Sequence, residues 1–436
     1  MRTRAKVLAA ILCTVAVLTT SGGTYVSASS EAADAKTEVT IGFSSDGDSF
    51  DPCTGFGYTG SPLYSNLVKV NGEDQLENDL ATEYSVSDDT LTWTFKIRDD
   101  VKFTNGDPLK ASDVAFTFNT TKEKATYMDL TMLESCTAID DTTVEFKLTK
   151  PCVTFIYTVA QVGIVPENAY SDQFGLSADQ IIGSGPYKMA QWDKGQQVIF
   201  EANPDYYGEA PTMKKVTVLF MEEDAALAAA QSGTVDVAHT AASYSDMSVD
   251  GYDLFSVQTV DNRGFNLPAT AAEEIDGVTY GNDFTSDVEV RRAINIGIDR
   301  DEMIRNVLNG YGTPAYSVCD KMPWYNEEAE VEYDQDKAKE ILDAAGWEAG
   351  DDGIREKDGV RAEFTMIYPA SDSVRQALAE DSKNQLSELG IEVTTEGVDW
   401  DTAYTRAESE PLVWGWGAHT PMELYNIYHT MDETGL

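Results

Sequence analysis

The sequence predicts a two-lobed α/β protein, and three observations carry that prediction. Short strands alternate with turn clusters from residue 39 to about 165, and longer amphipathic helices separated by strands follow from about residue 265. The 436 residues, with 42% hydrophobic and 10% aromatic side chains, are enough to build two cores. The same composition sets limits. With 75 acidic against 31 basic side chains, a formal net charge of −44 and a pI near 4.1, the chain lacks the clustered cations that a phosphate backbone requires, which argues against nucleic-acid binding. The apolar content argues against disorder.

At the N-terminus, Met1-Arg-Thr-Arg-Ala-Lys6 leads into the apolar stretch Val7 to Val17, and Val26-Ser27-Ala28 offers small residues for cleavage. Residues 1–28 therefore read as an export signal, too short in its apolar part for a comfortable span. Cys13 has bulky Leu12 before it and lacks a convincing lipobox. The mature chain is expected outside the cytoplasmic membrane, in a periplasmic space or at the cell surface. Removing the signal takes away Arg2, Arg4 and Lys6 and no acid, so the acidity belongs to the folded part. Residues 29–38, small and polar, form an exposed leader.

The first lobe is read over 39–264. Strands are predicted at 39–43, 90–97, 137–139 and 143–148, with Asp-Asp turns at 88–89 and 140–141. A helix among them takes Ser112 as its N-cap and sets Val114, Ala115 and Phe118 on one face. Further on, 225–231 is helical and 216–220 and 235–238 are apolar strands. The second lobe is read over 265–436. Val290, Ala293, Ile294 and Gly297 form one helical face. Asp299 caps a helix carrying Met303, ended by Gly310, and Asp334 caps another carrying Ala338 and Leu342, ended by Gly346. A third helix over 373–389 precedes a strand at 391–395. Four cysteines follow the signal: Cys53, Cys136, Cys152 and Cys319. The turn at 140–141 sets Cys136 opposite about residue 145, with Cys152 roughly 23 Å further along. That pairing is disfavoured, and buried free thiols are expected.

A series of motifs resembles one family. Ser49-Phe-Asp-Pro52, the run from Trp93 to Pro108 ending Asn-Gly-Asp-Pro, Gly183-Ser-Gly-Pro-Tyr187, Asn203-Pro-Asp-Tyr-Tyr207, Val288-Glu-Val-Arg-Arg-Ala-Ile-Asn295 and Lys337-Ala-Lys-Glu-Ile-Leu-Asp-Ala-Ala-Gly-Trp347 occur in the order seen in the extracellular solute-binding proteins, family 5, of peptide and nickel ABC importers. The resemblance implies a Venus-flytrap, periplasmic-binding-protein fold with a small extra domain inserted in the first lobe. It implies an ABC permease and ATPase as partners and a peptide or other small solute as ligand. It also implies a return of the chain to the first lobe, for which no segment follows Leu436, so an incomplete C-terminal end is expected. Several motifs read equally as scaffold: Asn105-Gly-Asp-Pro108 is a tight turn, and Gly183-Ser-Gly-Pro lacks the spacing of a phosphate cradle.

The strongest local site signal is the stretch from Val413 to His429, which gathers two of seven tryptophans and two of three histidines. Trp414 and Trp416, separated by a glycine, are candidate pocket walls; two apart on a strand, they are also placed to pack together into the core. In peptide-binding members an Asp precedes the Pro of this loop, where this chain has Thr420. In nickel-type members a tryptophan and a downstream histidine reach a metal complex, and Trp416, His429 and His419 fit that pattern loosely. Two histidines alone make a poor all-protein metal site, so no resident cofactor is expected, and a metal would arrive as a chelate. Arg375, in the first turn of its helix, reads either as an anchor for a carboxylate or as an exposed helix charge. Arg263 is a second anchor candidate or an ion-pair partner. Cys53 and Tyr58, around the loop after Pro52, complete the candidate contacts. No nucleophile elbow, Ser/His/Asp set or zinc HExxH appears, so no enzyme is expected. The expected function is the monomeric solute receptor of an importer, for an oligopeptide, a dipeptide or a nickel chelate. A sensory receptor for a membrane kinase and a secreted glycoside hydrolase, with two of its many acids as catalytic pair, are the alternatives.

Overall fold

The computed structural model of the protein describes residues 36–44, 46–54, 62–71, 73, 75–125, 128–257 and 259–428. The expected export signal, with Tyr58 and His429, lies outside the described residues. The chain forms two compact units: Met1–Thr240 with Ser248–Leu254, and Ala241–Met247 with Phe255–Leu436. Among the described residues no helix is long and apolar enough to cross a membrane.

The first unit carries, in order, β1 (Glu38–Phe43), the ribbon β2 (Val68–Val70) and β3 (Leu76–Asn78), β4 (Ala81–Val86), β5 (Thr92–Ile97), α1 (Ala111–Lys124), β6 (Leu133–Ala138), β7 (Thr143–Leu148) and α2 (Phe155–Val159). It continues with β8 (Tyr187–Asp193), β9 (Gln197–Ala202), β10 (Lys215–Phe220), α3 (Glu223–Gln231) and β11 (Val237–Ala238). β1 pairs parallel with β10 and β11, and the β8–β9 hairpin completes a five-stranded sheet in the order β11-β1-β10-β9-β8. Between β1 and β8 the chain builds a separate antiparallel sheet, β4-β5-β7-β6. Strict alternation explains this second sheet. Trp93, Phe95 and Ile97 of β5 and Val144, Phe146 and Leu148 of β7 all point inward. α1 covers them, with Phe118 edge-on to Phe146 at 4.8 Å between centroids.

Two local expectations change. α1 is capped at Lys110, not Ser112: the Lys110 N–H donates to Asp113 Oδ2 at 2.9 Å, and Asp113 Oδ1 accepts the Glu167 N–H at 2.9 Å. One carboxylate that ties down two backbone donors outweighs a hydroxyl that satisfies one. β6 starts at Leu133 rather than 137, and its register sets Cys136 opposite Phe146. This strand is a sheet edge, and Asn119 of α1 closes it by donating to the Cys136 carbonyl (2.8 Å) and accepting from its N–H (3.1 Å). The four described cysteines are free thiols, three buried and Cys152 half-buried. The Gly183-Ser-Gly-Pro run is scaffold: a Cβ on Gly183 would stand 1.9 Å from the Leu63 carbonyl oxygen, so the glycine allows backbone to lie on backbone.

The second unit carries β12 (Asn262–Asn266), the hairpin β13 (Glu273–Ile275) and β14 (Val278–Tyr280), α4 (Val288–Gly297), α5 (Arg300–Leu308) and α6 (Gln335–Ala344). Three short strands follow, β15 (Glu348–Ala349), β16 (Arg355–Lys357) and β17 (Val360–Arg361). Then come β18 (Glu363–Pro369), α7 (Ser373–Ser387), β19 (Glu392–Val398), α8 (Trp400–Arg406), β20 (Leu412–Trp416) and α9 (Met422–Tyr428). The main sheet runs β12-β20-β18-β19. Its core takes Val290, Ala293 and Ile294 from α4, Ala338 and Leu342 from α6, and Leu378 and Leu386 from α7. α5 ends at Leu308, and Asn309 (φ 49°) joins the expected Gly310 (φ 82°) in the left-handed stop, the Gly310 N–H donating to the Ile304 carbonyl at 3.1 Å.

Part of the acidity here is structural. Asp287, Asp299, Asp334, Asp372 and Asp399 each accept a backbone N–H in the first turn of a helix, at 2.8–2.9 Å. Each such cap contributes about 1 kcal/mol and sets a negative charge at the positive end of a helix dipole.

Candidate functional site

β18 runs parallel to both β19 and β20. The carboxyl ends of such strands are where open α/β sheets receive ligands, because helix N-termini and connecting loops gather there. At this end the chain leaves β18 for Asp372 and α7, leaves β19 for Asp399 and α8, and leaves β20 for the loop after Trp416. β12 lies antiparallel on β20 and sets Arg263 opposite Gly415.

Two guanidinium groups meet at Gly415. The point where a Cβ on Gly415 would sit is 2.7 Å from Arg263 Nη1 and 2.8 Å from Arg375 Nη2. Both cations thus occupy the space that a side chain would need. Asp261 pairs with Arg263 and Asp372 with Arg375. Asp372 does so while also capping α7, which fixes Arg375 at the sheet end. The Arg375 side chain is 11% exposed, and its Cζ lies 5.3 Å from the centre of the Trp400 ring. Its Nε is buried with no hydrogen-bond partner. Arg375 is therefore not the exposed helix charge that was one of its two readings.

The tryptophans line the same region. Alternation along β20 turns Trp414 and Trp416 to the face opposite Gly415. Trp414 packs edge-on against Trp400 and Tyr404, with centroids 6.0 and 5.2 Å away. Trp416 lies against Gly264, its Cζ3 3.1 Å from where a Cβ there would be. Both are half-buried, and Trp400 links their side of the sheet to the guanidinium pair. His419 is exposed beyond the strand. Among the described residues no three His, Cys, Asp or Glu side chains group to hold a metal ion.

Three residues of this region gave no signal in the sequence reading. Trp400 follows directly on the Asp399 cap after a strand, a position that places it at the sheet end. Asp261 is the short-range partner of Arg263. Glu423 reaches back from α9 to accept the Gly417 N–H through Oε1 at 2.9 Å, while its Oε2 is buried without a partner. Burial raises the Glu423 carboxyl above its ordinary value, the Gly417 bond opposes this, and nearby Asp261 adds to the rise.

Cys53, in the first unit, belongs to a core. It is fully buried, its N–H donates to Asp51 Oδ1 at 2.9 Å, and burial together with the Asp51 charge pushes its thiol up to about 12. A thiol so placed is inert packing rather than a ligand contact.

Comparison with known proteins now decides the family. Residues 75–435 match the model of the bacterial extracellular solute-binding proteins, family 5 Middle. The chain belongs to the bacterial extracellular solute-binding proteins, family 5. It is 32% identical over 416 residues to Protein XP55 of Streptomyces lividans, covering 91% of this chain and 74% of that protein. It is 29% identical to the oligopeptide-binding protein AppA of Bacillus subtilis, covering 84% and 70%. The structure of NikZ from Campylobacter jejuni, solved in complex with Ni(L-His), superposes with a TM-score of 0.76 at 22% identity, over 89% of this chain and 79% of that one. The family 5 chain thus has the two-lobed α/β fold of the periplasmic binding proteins.

Proposed function

We propose that this family 5 protein is the exported, non-enzymatic receptor of an ABC importer, and that it captures a small solute by a carboxylate held between Arg263 and Arg375. The solute is an oligopeptide or dipeptide, which it hands to the membrane permease and ATPase. The observation that carries the reading is the meeting of two guanidiniums over Gly415, with the Arg375 Nε buried and unpartnered. A planar fork held still by its cap and by Trp400 is the donor array a carboxylate fits. Trp400, under the Arg375 guanidinium, supplies apolar wall beside it and is backed by Trp414 from the other face of β20. The chain works as a monomer by population shift, the solute stabilising the conformation that the permease accepts.

A second reading keeps the same anchor. The solute is then a metal carried by a carboxylate-bearing chelator, with exposed His419 as its one protein ligand. The ligand named for NikZ, Ni(L-His), contains such a carboxylate, and AppA is named for oligopeptides.

Calorimetry with a free-acid tripeptide and its C-terminal amide tests the anchor. Loss of the carboxylate should weaken binding roughly 10- to 100-fold, the range of a charge-assisted hydrogen-bond pair. Equal affinity for acid and amide would remove the carboxylate from the reading. Native mass spectrometry of the freshly purified protein separates the two solutes: a peptide ladder supports the first, a metal with a small chelator the second.

A further inference from the structure

The hairpin of β13 and β14 takes no part in the solute site, and all six residues of its strands are exposed. It is nevertheless firmly based. The Gly281 N–H donates to the Glu408 carbonyl at 2.8 Å, the Asn282 amide to the Ser409 carbonyl at 3.2 Å, and the Ala272 N–H to Asp283 Oδ1 at 2.9 Å. Its turn, Asp276-Gly277, has both residues left-handed (φ 53° and 83°), the geometry that matches strand twist. Ile275 pairs with Val278 and Glu273 with Tyr280. Ile275, Val278 and Tyr280, at 48%, 38% and 37% exposure, thus share one face with Glu273, while Glu274 and Thr279 lie on the other. Among the described residues neither strand pairs with a third. A ribbon this short gains little from its own pairing, so a well-anchored one that turns its apolar face outward marks a contact surface.

Charge selects the partner. Between Arg263 and Arg291 the chain carries six acids, four of them at the hairpin or its base (Glu273, Glu274, Asp276 and Asp283), and no Lys or Arg. A second copy of this chain would set the same acids against them, and an anionic lipid surface would be repelled. The complement is an apolar protein groove rimmed by Lys and Arg. We infer that the Ile275–Val278–Tyr280 face docks on such a groove. On the importer reading proposed above, the groove lies on the outward face of the membrane permease.

The test uses the full chain and its permease–ATPase complex in nanodiscs of zwitterionic lipid, with ATPase stimulation followed against receptor concentration. Two double variants are compared with the wild type: Ile275→Ser with Val278→Ser, and Glu273→Lys with Glu274→Lys. Each should raise the half-stimulating concentration about tenfold or more, and added salt should weaken the wild type more than the charge-reversed variant. Thermal midpoint and solute affinity should stay unchanged. Stimulation equal to wild type by both variants overturns the inference. So does a dimer in sedimentation, or flotation with anionic vesicles, that the variants abolish. A wild type that binds no solute instead marks failure of the importer reading, which calorimetry reports separately.

Discussion

Both units bury a charge-bearing cluster, and they treat it in opposite ways. In the first, Asp51 accepts the Tyr170 hydroxyl at 2.6 Å and the Cys53 N–H at 2.9 Å. Lys124 donates to the Tyr170 oxygen, and the Tyr64 hydroxyl donates to the Phe50 carbonyl at 2.7 Å. In the second, the Arg375 Nε and Glu423 Oε2 are buried without partners. A buried polar group left unpaired costs about 1–3 kcal/mol, so a cluster that pairs its groups serves the fold, and one that leaves a cationic donor and a carboxyl oxygen open is built for something that arrives. The glycines show the same contrast. A Cβ on Gly175 would meet the Asp51 backbone nitrogen at 2.2 Å, whereas a Cβ on Gly415 would meet the tips of two long side chains.

The largest expected effect tests the closed cluster. Gly175→Ala adds a methyl against backbone that cannot move, at a left-handed φ of 75°. It should destabilise the protein by roughly 2–4 kcal/mol, read as a lowered urea midpoint, with solute affinity intact in the folded fraction. A midpoint within error of wild type would mean that the Phe50–Asp51 turn shifts freely, and the contrast with Gly415 would collapse.

Arg375→Ala should invert that pattern. Solute affinity should fall about 100-fold, since truncating one side of a buried charge-assisted contact costs on the order of 3 kcal/mol. The urea midpoint should barely move, because the variant also removes an unsatisfied buried donor. Arg375→Lys should recover little, as an ammonium does not present the fork. A variant that unfolds easily yet binds as before would assign Arg375 to the scaffold.

These residues also mark what the sequence makes legible. The Asp caps at 299 and 334, the buried faces of α4 and α6 and the alternation in β5 and β7 are local patterns, and each is present in the structure. Lys110 in place of Ser112 as the cap of α1 was not legible, because Asp113 gains its advantage from Glu167, far along the chain. Arg263 and Arg375 are each legible as anchor candidates, but their meeting is not, for the same reason: only the antiparallel pairing of β12 on β20 brings them to one glycine. Aromatic density, by contrast, drew attention to Trp414 and Trp416 and said nothing of the cations on the other face of the strand.

Gly415→Ala probes that face with a smaller perturbation. The methyl displaces both guanidinium tips but strains no backbone, since Gly415 lies within a regular strand. Affinity should drop about tenfold, as a charge-assisted fork loses its alignment, with the urea midpoint changed by under about 1 kcal/mol. If affinity is unaffected, the two cations do not jointly contact the solute.

The smallest effect concerns Glu423, whose burial raises its carboxyl above the ordinary 4.5. A folded-state value above the unfolded one means that the native protein holds this proton more tightly. Its contribution is therefore fully present in acid and is lost as pH rises through the folded value, where the buried carboxyl must ionise beside Asp261. Glu423→Gln keeps the oxygen that accepts the Gly417 N–H and removes the ionisation. The stability difference, variant minus wild type, should grow in favour of the variant as pH rises from about 4.5, then level off above the folded-state value. Urea unfolding of both proteins across that window reads the slope directly. A flat difference would show that Glu423 ionises like a surface acid, and its oxygen would then not belong with Arg375 Nε among the buried open groups of the second cluster.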